Sequence, residues 1–464
     1  MSVTAARRPV GAARLLGRRF LAGYGLVGGF ALGTLALLLA HGGGLLNFAY
    51  PALAGALALL LFAARRGVYV AFVLWIWLFT PLVRRLVDYQ TGYHAVSPVM
   101  LAPLLVSLVG CLAVARAPRV LLRRRLLPYS LFALVLAYGL VVGAIGNGLL
   151  PALFDFANWG IPLGFGIFIL ADTRHRAEIE AAFGQAAVTG LLGISAYGLY
   201  QFYHFPAWDA YWLDQSGYGA AGPGLALQVR LFGPLNSPGP YGIALMALLV
   251  LALAARGKLK LAASAAGYPA FGLSLVRSAW GGWALAAVYL LARSGGRLRL
   301  RLLLGVFVAG LLAWPLLSAG PVVDVLARRF ASLGNLPQDG SYLSRASLYA
   351  HFTGPALSQP VGLGLGYNGL ATRLNATVTG GFDSGVLELP YEFGWAGGAV
   401  VLWALAALVL RLLGIGRAGA APFELACAGV FFAVLAENAA GLTFSGVSGV
   451  LLWCAAAFAD RPPP

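Results

Sequence analysis

The sequence predicts an all-α polytopic membrane protein, with about 12 to 14 transmembrane helices and a large, partly helical loop on the outer side. Three observations carry this. Of 464 residues, 60% are hydrophobic and only 10% charged, and the mean hydropathy is +0.83. Apolar stretches recur at the length that crosses a hydrocarbon core, roughly 20 residues at 1.5 Å each. The basic residues sort to alternate ends of those stretches, as short cytoplasmic loops require.

In chain order the apolar stretches are 20–40, 45–64, 68–83, 97–115, 128–147, 154–171, 182–203, 237–255, 261–276, 279–292, 302–318, 386–410, 422–438 and 442–459. The first is full length and has no small-residue cleavage site, so it is expected to stay as a helix. With the N-terminus inside, 24 of the 32 basic residues fall in inner segments, among them Arg65, Arg66, the "RAPRVLLRRR" loop, "RGKLK" and "RSGGRLRLR". The acids lean the other way, five inside and ten outside. The formal charge of +17 therefore reports membrane orientation and says little about partners; the apolar stretches make the lipid bilayer the expected partner, and no nucleic acid is expected. An even count of crossings places both termini in the cytoplasm.

Cys111, Cys427 and Cys454 all lie in apolar stretches and read as small core fillers. The five histidines are scattered without metal-ligand spacing, so no metal and no cofactor is expected. The stripe "VLWIWLF", 73–79, reads as lipid-facing or core packing. Asp155 and Asn158, at the start of the sixth stretch, read as helix caps in preference to substrate contacts.

The chain divides into N-terminal membrane helices (1–202), a first outer loop (203–236), further membrane helices with a tight outer turn at Arg277 (237–318), a large outer loop (319–385) and C-terminal membrane helices (386–464). Loops this long are usually functional or disordered. The first is rich in Trp and Tyr, as expected at a membrane interface. The second has helical patterns around 322–330 and 344–351 between Gly- and Pro-rich turns, and reads as a folded lid.

One charge stands apart. Arg277 interrupts the apolar run 261–292, although a charge at mid-bilayer costs several kcal/mol. That run is too long for one helix and has basic segments at both ends, so it goes out and returns, placing Arg277 in the outer turn. Arg230, ahead of "LFGPLNSPGPYG", and Arg345, in "SRASLYA", share that level. So do Asp383, Glu388 and Glu392, the last two at i, i+4 spacing on one helix face. Intramembrane carboxylates need a partner, and these are expected to meet the arginines. Arginines gathered above a membrane suit a diphosphate or carboxylate, whose oxygens the guanidinium fork binds bidentately.

"RLFGPLNSPGPYG" (230–242), "LSLVRSAWGGWAL" (273–285), "SRASLYAHFTGPALSQPVGLGLG" (344–366) and "DSGVLELPYEFGWAGG" (383–398) together resemble the O-antigen ligase and polymerase superfamily. The N-terminal half is similar only as a set of membrane helices. The resemblance implies a GT-C type membrane glycosyltransferase with its site under the large outer loop, at the periplasmic face of the bacterial inner membrane. It also implies an undecaprenyl-diphosphate-linked oligosaccharide as donor, a glycan or lipid-linked glycan as acceptor, and a partner protein that regulates chain length. Ligases of the family carry a His-Asn pair where this chain has Asp383 and Ser384, which favours polymerisation of repeat units over transfer to lipid A-core.

On that reading Arg230 and Arg277 hold the diphosphate, with Arg345 a weaker third, and Asp383 is the catalytic base with Glu388 second. Glu392 and His351 are further candidates. No D-x-D sequence occurs, which fits a metal-independent, inverting displacement. "GLGLGYNG" (362–369) lacks the strand and helix that make such a motif a nucleotide loop. A transporter is the reading from another class, and no internal repeat supports it.

Overall fold

The computed structural model describes residues 10–297, 299–300, 302–305, 307, 340–374, 384–414 and 420–460. The structure is 81% helical without strands among the described residues. The helices are α1 (Val10–Leu39), α2 (Gly43–Ala64), α3 (Arg66–Thr91), α4 (Leu101–Ala115), α5 (Leu127–Gly146), α6 (Leu149–Ala171), α7 (Arg176–His204), α8 (Ala207–Ser216), α9 (Pro238–Ala254), α10 (Leu259–Leu273) and α11 (Arg277–Arg293), followed by α12 (Gly340–Leu357), α13 (Gly385–Leu413), α14 (Pro422–Ala436) and α15 (Gly446–Ala459). Among the described residues eight spans are long and apolar enough to cross a membrane, and Gly23–Leu39, α9 and α15 are shorter apolar helices. The chain is thus a membrane-embedded all-α protein. The predicted span 302–318 lies almost wholly outside the described residues.

Consecutive helices such as α2 and α3, or α5 and α6, pack on one another across short connections, so connections gather at two ends of the bundle. At the lower end charges pair with one another. Asp460 receives Arg125 at 2.9 Å and Arg411 at 2.7 Å, Arg176 meets Glu180 at 2.9 Å, and Arg66 approaches Asp172 at 3.8 Å. The two contacts to Asp460 tie the connection after α4 and the last turn of α13 to the end of α15. Between the ends lies an apolar core built on Trp159, Phe132, Phe444 and Trp453, with Phe132 and Trp453 edge to face at 5.1 Å.

Two departures from the hydropathy pattern position the upper end. The third stretch was expected to stop at 83, before Arg84 and Arg85, yet α3 continues to Thr91. Its charges are satisfied inside the protein: Arg84 donates to Asp88 at 3.1 Å, and Arg85, fully buried, pairs with Asp209 of α8 at 3.1 Å. The first long loop is also less interfacial than its aromatic content suggests. Trp212 is buried against Phe232, with ring centroids 6.1 Å apart, and Trp208 donates to the Tyr197 hydroxyl at 2.7 Å. The 73–79 stripe is core packing, since Trp77 donates to Ser107 at 2.8 Å and Trp75 to the Ala186 carbonyl at 3.2 Å.

Candidate functional site

Two helices leave and return where Arg277 sits. α10 ends at Leu273, α11 opens on Arg277, and Ser274 to Val276 make the turn. Leu275 adopts a left-handed φ of +54°, a conformation that costs a non-glycine residue about 1–2 kcal/mol. The strain is held by the surroundings. Ser274 Oγ donates to the Phe271 carbonyl at 2.7 Å, and Trp280 of α11 donates to that same carbonyl at 3.2 Å. The Arg230 loop then docks on the turn: the Leu231 amide donates to the Leu273 carbonyl at 3.2 Å, and Arg230 Nη2 to the Leu275 carbonyl at 3.4 Å. Arg230 Nη1 donates to the Ala220 carbonyl at 3.0 Å. Two half-buried arginines from distant segments are thus brought to one turn.

The carboxylates gather around a second feature, the segment 361–368. It threads between α5, α6 and α13, where α13 is broken by Pro390 and by Gly394 at φ +65°. Amides of the segment take up carbonyls along the helices: Leu363 donates to Tyr391 and Gly364 to Glu392, each at 2.9 Å, and Leu365 donates to Gly139 at 2.9 Å. Asn147, at the end of α5, donates to the carbonyls of Leu363 at 2.8 Å and Leu365 at 3.0 Å. Gly364 has φ +75° and lies so close to the Gly143 backbone that a Cβ has no room. These glycines therefore serve close backbone approach, not phosphate binding. Although it belongs to the large outer loop, the segment reaches Tyr391, six residues and about 9 Å into α13.

Three buried carboxylates face this segment. Asp155 accepts from the Gly366 amide at 3.0 Å, and Glu388 accepts from Asn368 Nδ2 at 3.1 Å. Glu392 is fully buried, and neither of its oxygens has a hydrogen-bond partner among the described residues. It lies in the electrostatic field of Asp155 and Glu388. The expected meeting of Glu392 with an arginine is not made among the described residues, where the acids Asp155 and Glu388 act on it instead. Nor do Asp155 and Asn158 cap α6. The helix starts at Leu149, Asp155 lies within it and binds the segment, and Asn158 donates back to the Phe154 carbonyl at 2.9 Å.

A short 3₁₀ turn, Glu437–Ala439, links the two features. Glu437 Oε1 lies against Gly282 of α11, and the Asn438 side chain lies against Gly385 at the start of α13. Ser384 caps α13 by accepting from the Leu387 amide at 3.4 Å, and its hydroxyl is 2.9 Å from the Tyr349 hydroxyl of α12. Asp383, the residue before that cap, lies outside the described residues, as does the Arg345 side chain, although its backbone is part of α12. His351 is on α12 and exposed.

Sequence reasoning passed over several polar residues here. Asn368 gave no signal, and Asp155 read as a helix cap because its partner amide lies 211 residues along the chain. Arg85, Asp209 and Gln201 were signalled only by being polar next to apolar runs. Among the described residues no group of three His, Cys, Asp or Glu side chains is placed to hold a metal ion. Compared with known protein families and with curated proteins, the chain matches none.

Proposed function

We propose that the protein is a membrane glycosyltransferase of the O-antigen ligase and polymerase type, with a GT-C architecture. It moves a glycan from undecaprenyl diphosphate to a sugar hydroxyl at the outer face of the bacterial inner membrane. The observation that carries this reading is the docking of Arg230 on the strained Leu275 turn that presents Arg277. A guanidinium fixed by backbone contacts, Arg230, beside a turn that opens on a second arginine at the end of a membrane-embedded bundle, suits a lipid-borne diphosphate.

In this reaction the acceptor oxygen attacks the anomeric carbon, and the bond from that carbon to the diphosphate oxygen breaks. The electron pair leaves with the carrier, and the arginines stabilise the charge that develops there without reorganising. The hydroxyl proton passes to a carboxylate. Asp383, directly before the α13 cap, is the base by this reading, and Glu388, in the first turn of α13, is its alternate. A single displacement inverts the anomeric centre. Asp383 in place of the histidine of ligases favours polymerisation.

The test is the length distribution of surface glycan and of carrier-linked glycan in a strain lacking the gene and in the complemented strain. Single repeats on the normal acceptor identify a polymerase. Long chains held on the carrier and absent from the surface identify a ligase. Unchanged glycans in both pools would overturn the reading.

A further inference from the structure

We propose that Arg85, Asp209 and Gln201 form a positioning network that fixes the Arg230 loop on the Leu273–Arg277 turn, so that both arginines meet the donor diphosphate in one geometry. This deepens the functional reading above and rests on it.

The loop is held at four consecutive residues. The Arg230 amide donates to the Ala221 carbonyl at 2.8 Å and the Leu231 amide to Leu273 at 3.2 Å. The amides of Phe232 and Gly233 both donate to Gln201 Oε1, at 3.2 and 2.9 Å. The Gly233 carbonyl accepts from Arg85 Nη2 at 2.5 Å. Gly233 sits at φ +52° with Tyr241 packed where a Cβ would be, so the bend itself has little freedom. α3 and α7 thereby grip the backbone just beyond Arg230 with side chains that are fully buried.

Asp209 completes the grip. Its Oδ2 accepts from Gln201 Nε2 at 2.6 Å and from the Tyr197 hydroxyl at 2.9 Å, and its Oδ1 lies 3.1 Å from Arg85 Nη1. The donation from Gln201 fixes which end of the amide faces the loop, leaving Oε1 to accept both backbone N–H groups. The Arg85 guanidinium is also 4.9 Å from the Phe232 ring centroid. Burial pushes the Asp209 carboxyl up, and Arg85, Gln201 and Tyr197 pull it back.

A buried ion pair is seldom more stabilising than apolar packing of the same volume. What this one supplies is direction: among the described residues, every side-chain hydrogen bond that Arg85 and Gln201 make beyond Asp209 ends on the backbone of Phe232 or Gly233. A general stabiliser would not concentrate its contacts on one bend two residues from a proposed ligand-binding arginine.

The experiment uses the purified full-length protein in detergent micelles with undecaprenyl diphosphate as the probe. It reads binding affinity, melting temperature and amide hydrogen exchange over 228–236. Gln201→Met removes the acceptor for both loop amides, and its expected effects are faster exchange at Phe232 and Gly233 and about tenfold weaker binding. Tyr50→Phe removes a buried hydrogen bond to Thr80, 3.0 Å long, between α2 and α3. It serves as a control for stability lost away from the loop, and wild-type affinity is expected. Arg230→Ala is expected to abolish binding.

If Gln201→Met does not fold, Arg85→Lys, which keeps the charge beside Asp209 and loses the planar reach to Gly233, is judged by the same comparison. Wild-type affinity in the network variant, or a loss no larger than that in Tyr50→Phe, would overturn the inference while leaving the functional reading in place. A wild-type protein that fails to bind the probe, or an Arg230→Ala variant that binds it normally, would overturn the functional reading and the inference together.

Discussion

The upper end of the bundle contains two buried polar clusters of opposite character. Around Asp209, one carboxylate meets a guanidinium, an amide and a phenol. Around Glu392, three buried carboxyls are gathered: Asp155 and Glu388 accept from the Gly366 amide and the Asn368 side chain, and the Glu392 side chain makes no hydrogen bond among the described residues. The first cluster is balanced and acts on backbone, which suits a clamp. The second holds a buried carboxyl without a hydrogen bond next to the break in α13, which costs stability.

Removing one member from each cluster should therefore have opposite outcomes. Arg85→Met leaves Asp209 buried without its cation, and the expected loss is about 3–5 kcal/mol, read as a large fall in melting temperature or a failure to accumulate in membranes. A mild effect would mean that Asp209 is held neutral by its other partners, and the clamp would lose its ionic character.

The next largest effect is expected at the glycine segment. Gly364→Ala forces a side chain into left-handed backbone against Gly143, and about 2–3 kcal/mol or more should be lost, again measured by thermal denaturation. Asn147→Ala removes a donor shared among the segment's carbonyls. A smaller cost of about 1–2 kcal/mol is expected, together with faster hydrogen exchange over 361–368. Equal stability in both variants would show that the segment is not bound into the bundle as described.

The smallest effect, and the one with reversed sign, belongs to Glu392→Gln. The substitution keeps the shape of the side chain, leaves no ionisable group between Asp155 and Glu388, and breaks no hydrogen bond among the described residues. Melting temperature should be unchanged or should rise by up to about 1 kcal/mol equivalent. A fall as large as that of Arg85→Met would make the two clusters alike and remove the contrast.

The comparison also shows what could be read from the chain alone. Hydropathy located the helices because the apolar runs match the length of a membrane span, and the turn at Arg277 followed from basic flanks at both ends of one overlong run. The same rule failed at α3, where Arg84 and Arg85 looked like the end of a span and are satisfied within the protein by Asp88 and Asp209. Asp155 could not be placed because its partner amide belongs to Gly366, 211 residues away. The glycine segment looked like a surface turn because periodicity carries no record of which helix a loop will enter. Residue type marked Arg230 and Arg277 as candidates, and only the fold brings the Arg230 side chain to the Leu275 carbonyl.

The most direct measurement is turnover by the purified protein, reconstituted in lipid nanodiscs with an undecaprenyl-diphosphate-linked oligosaccharide as both donor and acceptor. The account predicts release of free undecaprenyl diphosphate in step with longer carrier-linked glycans, and a loss of about 100- to 1,000-fold in Arg277→Ala. Carrier release that is unchanged in Arg277→Ala, or a folded protein that binds the donor and never releases the carrier with any sugar acceptor, would contradict it.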